Sequence, residues 1–158
     1  MSEETFSFKY QHFDSRDEMS REDIELIMAA EDAIKGSYAP YSSYNVGAAV
    51  RLSDGTIVKG ANQENIAFPS GLCAERTALF SASATYPEKA IVSMAILGGP
   101  KGEISDKPTT PCGACRQVMV EMENKGGKKM SVILAGTKSI LKFETASELL
   151  PFIFDALI

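Results

Sequence analysis

Apolar residues recur along this chain with two different periods, and the switches between them lay out its elements. Ile24, Ile27, Met28, Ala30, Ile34 and Tyr38 return at three- and four-residue steps, the spacing of one helical face. Ser20 precedes that run as an N-cap with Asp23 at the capping-box position, and the spacing predicts a helix to about Tyr38, stopped by Pro40. Glu22, Asp23, Glu25, Glu31, Asp32 and Lys35 read as its solvated face. Residues 45–52 and 56–62 flank an Asp54-Gly55 turn and predict a β-hairpin. Residues 90–97 and 130–135 are nearly unbroken apolar runs with β-branched content, as expected of strands buried on both faces. Residues 140–143 add a fifth strand. Two more helices are predicted, one from Cys73 to about Ala84 and one from about Gly113 to Asn124, the second ending near Gly126 and Gly127. Near the start, Phe6, Phe8 and Tyr10 alternate with polar residues and suggest a short, half-buried strand.

Strands joined through helices need crossovers, and these favour parallel pairing with helices on both faces. The element order therefore predicts an α/β fold, a three-layer α/β/α sandwich around a mixed five-stranded sheet. A chain of 158 residues is the size of one domain. Residues 19–158 read as that domain, and residues 1–18 as an N-terminal extension with no role assigned. The net charge of −5 lacks the basic footprint of a nucleic-acid binder, so no polymeric nucleic acid is expected as partner. No apolar run approaches the ~20 residues that span a bilayer, and the first residues lack the basic and apolar regions of a signal peptide. The expected setting is the cytoplasm, with no membrane partner.

The chemistry concentrates in two motifs, CAERTA at 73–78 and PCGACRQ at 111–117, which together hold all three cysteines. Cys112 and Cys115 stand three apart at a predicted helix start, so their side chains share a face. Cys73 stands at another helix start, and helix N-termini favour thiolate over thiol. Brought together, the three sulfurs make a zinc site one ligand short of a closed structural one. The open position belongs to water, whose pKa zinc lowers towards neutrality, and Glu75, two residues after Cys73, is placed to accept that water's proton. Two rivals are weaker. A thiol–disulfide site would use only Cys112 and Cys115 and leaves Cys73 and Glu75 unexplained. A structural zinc site needs a fourth ligand, and the one histidine, His12, has no ligand-type neighbour in sequence.

Together these motifs resemble those of the small, homotetrameric, three-cysteine cytidine deaminases, within the zinc nucleobase deaminases that pair an x-x-E segment with P-C-x-x-C. The resemblance covers about residues 39–154 and includes APYS at 39–42, VGAA at 46–49, Asn62-x-Glu64 and ELLP at 148–151. It implies a cytidine deaminase-like fold and zinc-dependent hydrolytic deamination of cytidine and 2′-deoxycytidine, with one Zn2+ per chain held by Cys73, Cys112 and Cys115. It implies that Glu75 is the catalytic acid and base, and that Asn62 and Glu64 bind the ribose hydroxyls. Tyr44 stands where the family often carries a phenylalanine lining the base pocket. The resemblance also implies that the Ala74 backbone meets the base edge, and that Phe154 comes from a neighbouring subunit of a homotetramer with shared sites. Arg76, next after Glu75, offers a guanidinium to thiolate sulfur, and Arg116 could do the same beside Cys115. The alternatives are a deaminase of another aminopyrimidine, such as blasticidin S, or a non-enzymatic zinc or redox module.

Overall fold

The computed structural model describes residues 1–155. Three helices, α1 (Arg21–Ala33), α2 (Ala74–Thr85) and α3 (Gly113–Gly126), flank one mixed sheet. Its strands are β1 (Gln11–Phe13), β2 (Tyr44–Leu52), β3 (Ile57–Ala61), β4 (Ile91–Pro100), β5 (Ser131–Ala135) and β6 (Ile140–Phe143), in spatial order β1-β6-β5-β4-β2-β3. Among the strands of the described residues only β4 and β5 pair in parallel, and their crossover is α3. Among the described residues the sheet has six strands, where the hydrophobic pattern predicts five.

The additional strand comes from the N-terminal segment, slightly past where alternation suggests one. Gln11, His12 and Phe13 pair antiparallel with Lys142, Leu141 and Ile140. Phe6, Phe8 and Tyr10 stay half exposed or slightly more. Their rings run in a row, and Phe8 and Tyr10 both meet Phe143. Their alternation thus records ring-on-ring contact along the surface, while backbone pairing begins only where the free edge of β6 is available.

Period-two alternation divides the strand side chains between two cores. Val50, Leu52, Met94, Ile96, Val132 and Leu134 point to the face covered by α2 and α3. Ala49, Ala95, Leu97 and Ile133 point to the other, where Leu26, Ile27 and Ala30 of α1 cover them. The α/β/α layering is therefore as predicted. Two glycines in adjacent register set how closely the helices approach. A Cβ on Gly47 would lie 2.0 Å from the carbonyl oxygen of Ala30 in α1, and one on Gly60 would lie 2.4 Å from the backbone nitrogen of Ala78 in α2.

Helix α1 is shorter than its apolar spacing predicts. It ends at Ala33, tightens into a 3₁₀ turn at Ile34–Gly36, and then leaves the helical path. Tyr38 is instead captured by residues after β3: its N–H donates to Asn62 O, and its carbonyl accepts from Glu64 N. Ser20 caps α1 through Asp23 N, as expected. The Asp23 carboxylate, predicted to be solvated, is buried and accepts from Lys142 Nζ on β6 at 2.6 Å.

Candidate functional site

The three cysteines converge. The Sγ atoms of Cys73 and Cys112 lie 4.0 Å apart and those of Cys112 and Cys115 3.5 Å apart, with all three within 4.8 Å of one another. Tetrahedral zinc with Zn–S bonds of ~2.3 Å separates its sulfurs by about 3.8 Å. The donor set is soft, and the two separations of 4.0 and 3.5 Å bracket the spacing such an ion requires.

Two helix starts bring the sulfurs together. Cys73 is the N-cap of α2 and Cys112 the N-cap of α3, and neither cap uses a side-chain hydrogen bond. The first-turn N–H groups of both helices thus aim their positive ends at the cluster. The Cys73 carbonyl accepts from Thr77 N and from Thr77 Oγ1, which fixes the turn. Gly60 permits the close seating of α2 that brings Cys73 to α3.

Charges around the cluster are set by proximity. The neighbouring Cys115 thiol, then Arg76 and Cys112, hold the Cys73 thiol well below its ordinary range against the opposing effect of burial. Cys115 is driven the other way, because its thiol proton is held in a hydrogen bond to Cys73 and because burial, then the charges of Glu75 and Cys73, oppose a second ionisation. Glu75 is buried in the first turn of α2. Burial pushes its carboxyl above the ordinary range, and the negative charge of Cys73 adds to that. Arg76 Nη2 donates to Cys73 Sγ at 3.8 Å. Its Nε is buried and makes no hydrogen bond with the described residues, a spare donor beside sulfur.

A cleft of about 510 Å³ opens beside Cys73 and Arg76, with Asn62, Glu64 and Phe68 in its walls. Glu64 Oε2 accepts from Tyr41 N at 2.9 Å and Ser42 N at 3.2 Å, and its Oε1 accepts from Ser42 Oγ. The Ser42 hydroxyl, then the Tyr41 amide, hold the Glu64 carboxyl below its ordinary range, so it stays charged at the cleft. The Asn62 side chain is tied to Tyr44 O, Val46 N and Ser37 Oγ. The sequence alone does not assign roles to Ser42 and Ser37, because neither the APYS motif nor a lone Ser37 shows which acceptor it will face.

The remaining predicted positions fall around this centre. Ala74 is fully buried in the first turn of α2. Tyr44 opens β2 and is partly exposed, outside the walls of the cleft. Phe154 is 67% exposed on the segment following β6. Its backbone is clamped on both sides by one residue, with Gln117 Nε2 donating to Phe154 O at 2.9 Å and Phe154 N donating to Gln117 Oε1 at 3.2 Å. Arg116 does not reach sulfur. Its Nε donates to Pro111 O and its Nη1 to Leu149 O, so it ties the loop before Cys112 to the C-terminal turn. His12 lies on the edge strand β1, where its Nε2 meets Ser139 Oγ, apart from the cysteines.

Comparison with known proteins agrees with this geometry. Residues 20–130 match the family model described as the cytidine and deoxycytidylate deaminase zinc-binding region. The chain is 42% identical over 133 residues to a cytidine deaminase of Halalkalibacterium halodurans, covering 83% of this chain and 92% of that one. It is 39% identical over 134 residues to a cytidine deaminase of Sporosarcina psychrophila, covering 84% and 92%. Its fold superposes on the crystal structure of a cytidine deaminase from Burkholderia pseudomallei with a TM-score of 0.72 and 39% identity, over 86% of this chain and 100% of that one.

Proposed function

The chain belongs to the cytidine and deoxycytidylate deaminase family, and from that premise we propose that it hydrolyses cytidine and 2′-deoxycytidine to the uridine products and ammonia, in cytoplasmic pyrimidine salvage. The observation that carries this reading is the sulfur triad at two helix N-termini, with a buried glutamate beside it and a polar cleft opening from it. Cys73, Cys112 and Cys115 would hold one zinc ion per chain. When bound, zinc supplies Lewis acidity and lowers the pKa of water at the site.

The chain's own groups then carry the protons. The Glu75 carboxylate accepts a proton from the attacking water as oxygen bonds to C4 of the pyrimidine, and delivers it to N3. A second proton passes through Glu75 to the exocyclic nitrogen, the C4–N bond breaks, and ammonia leaves. Burial supports this role, because it brings the proton affinity of Glu75 closer to that of its partners. Arg76 offsets thiolate charge that would otherwise oppose the acidity of the water.

Asn62 and Glu64 would hold the sugar. A charged Glu64 accepts from a hydroxyl and repels a phosphate, which favours a nucleoside over a nucleotide. The buried Ala74 backbone would meet the base edge, while Tyr44, outside the cleft's walls, would reach the base only from beyond them. Phe154, exposed on its clamped segment, would reach the site of a neighbouring copy in a homotetramer.

The test is loss of pyrimidine absorbance when zinc-loaded protein meets cytidine or 2′-deoxycytidine. Both should be consumed with release of ammonia. Glu75→Gln should retain zinc and bind nucleoside while losing at least about 10²-fold in turnover. Near-normal turnover by that variant would reject the assignment of Glu75, and no turnover by the unaltered protein would reject the reading as a whole.

A further inference from the structure

Asn62 is held by a chain of hydrogen bonds whose directions can be worked out atom by atom. Val46 N can only donate, so the Asn62 atom 2.9 Å from it is the carbonyl oxygen, Oδ1. Tyr44 O can only accept, so the atom 2.9 Å from it is the amide nitrogen, Nδ2. These two backbone groups exclude a flipped amide. Ser37 Oγ lies 2.6 Å from Asn62 Oδ1, and the Asn45 side-chain nitrogen lies 2.9 Å from Ser37 Oγ. Asn62 Oδ1 can only accept, so the Ser37 hydrogen goes to it, and the Asn45 atom facing Ser37 Oγ must be the donating nitrogen. The relay therefore runs Asn45 Nδ2–H to Ser37 Oγ, then Ser37 O–H to Asn62 Oδ1.

The relay determines what Asn62 can offer the cleft it lines. Its oxygen already accepts two hydrogen bonds, and one amide hydrogen goes to Tyr44 O. One N–H remains that makes no bond among the described residues. Glu64, its neighbour across the cleft wall, is the complementary acceptor. The pair thus presents one donor and one acceptor, matched to a hydroxyl that accepts from Asn62 and donates to Glu64.

We propose that Ser37 and Asn45 are positioning residues for sugar recognition, locking the Asn62 amide so that a single N–H faces a sugar hydroxyl of the bound nucleoside. This rests on the nucleoside reading above. Neither residue touches the sulfur cluster, and both are only partly buried, so their substitution tests the relay with little effect on the core. Ser37→Ala removes the hydroxyl. Asn45→Asp keeps the size but reverses the first bond, because a carboxylate accepts the Ser37 hydrogen and takes it from Asn62. Ser37→Thr keeps the relay.

The experiment compares zinc-loaded protein and the three variants on cytidine and on 2′,3′-dideoxycytidine, which lacks the 2′- and 3′-hydroxyls that the Asn62–Glu64 pair would hold and keeps the 5′-hydroxyl. Ser37→Ala and Asn45→Asp should raise KM for cytidine about fivefold with kcat little changed, the size of effect of one neutral hydrogen bond. Ser37→Thr should match the unaltered protein, and on 2′,3′-dideoxycytidine all four should agree within about twofold. In NMR spectra, the Asn62 side-chain amide signals should move in Ser37→Ala and Asn45→Asp and stay in place in Ser37→Thr. An unchanged KM for cytidine, or an equal loss on the dideoxynucleoside, overturns the relay while the deaminase reading stands. Absence of turnover by the unaltered protein overturns both, and only then is the deaminase reading at fault.

Discussion

Replacing Glu123 by alanine should destabilise this protein more than any other single change to a charged residue of α3. The side chain is buried, 7% exposed, yet it is an acid. Its Oε2 accepts from Met130 N at 2.7 Å and Ala146 N at 3.0 Å, and its Oε1 accepts from Thr145 Oγ1 at 2.6 Å and Ser147 Oγ at 2.8 Å. Alanine strands two buried backbone N–H groups, at about 1–3 kcal/mol each, while the two hydroxyls can turn elsewhere. With the void added, the expected loss is about 3–5 kcal/mol, a large part of the 5–15 kcal/mol typical of a domain. Glutamine keeps an oxygen for the two amides and turns its NH2 towards the hydroxyls, so it should cost only about 1–2 kcal/mol. Burial pushes the Glu123 carboxyl up, but the four hydrogen bonds outweigh burial and hold it below its ordinary 4.5. A folded-state pKa below the unfolded one contributes stability above the unfolded value and loses it as pH falls through the folded value. The gap between the unaltered protein and Glu123→Gln should therefore be full near neutral pH and shrink on acidification below about 4.5. Urea unfolding followed by circular dichroism, at fixed protein concentration and in excess zinc, measures both variants. A loss below about 1 kcal/mol for Glu123→Ala, or a gap that widens in acid, would refute the reasoning.

Three further outcomes are expected. Alanine at Cys73, Cys112 or Cys115 should remove zinc and activity together, measured as metal per chain alongside turnover; full activity in a metal-free variant would contradict the triad. Gly60→Ala should force α2 away from β3, because the new Cβ would lie 2.4 Å from Ala78 N. It should lower stability by roughly 2 kcal/mol or more and weaken zinc retention, read by competition with a chelator. Light scattering should report four copies per particle, and Phe154→Ala should leave that mass intact while raising KM for cytidine; a monodisperse monomer with full activity would remove the proposed role of Phe154.

The three-layer plan was legible because strand alternation and apolar runs report burial directly. Val50 and Leu52 point one way and Ala49 the other, as period two demands. The sulfur triad was legible because Cys73 and Cys112 mark helix starts by spacing alone. Pairing partners carry no such local mark. Gln11–Phe13 forms a strand only because β6 leaves an edge open, and Asp23 is buried only because Lys142 arrives from the far end of the chain. Arg116 next to Cys115 looks like a sulfur partner, yet its direction is set by carbonyls at Pro111 and Leu149. Glu123 did carry a local signal. It falls eight residues after Cys115 and four after Met119, on the stripe that α3 buries, where an unpaired acid would be costly.

The short strand β1 has a consequence for the behaviour of the protein in concentrated solution. Without it, β6 would end the sheet with its backbone donors and acceptors bare beside Ile140 and Phe143, a template on which a second sheet can grow. Three residues of backbone, steadied by the contact between His12 and Ser139, close that template and leave an edge too brief to recruit another. Chains trimmed to begin at Ser20 would be expected to precipitate or form fibrous aggregates before they lose their helices.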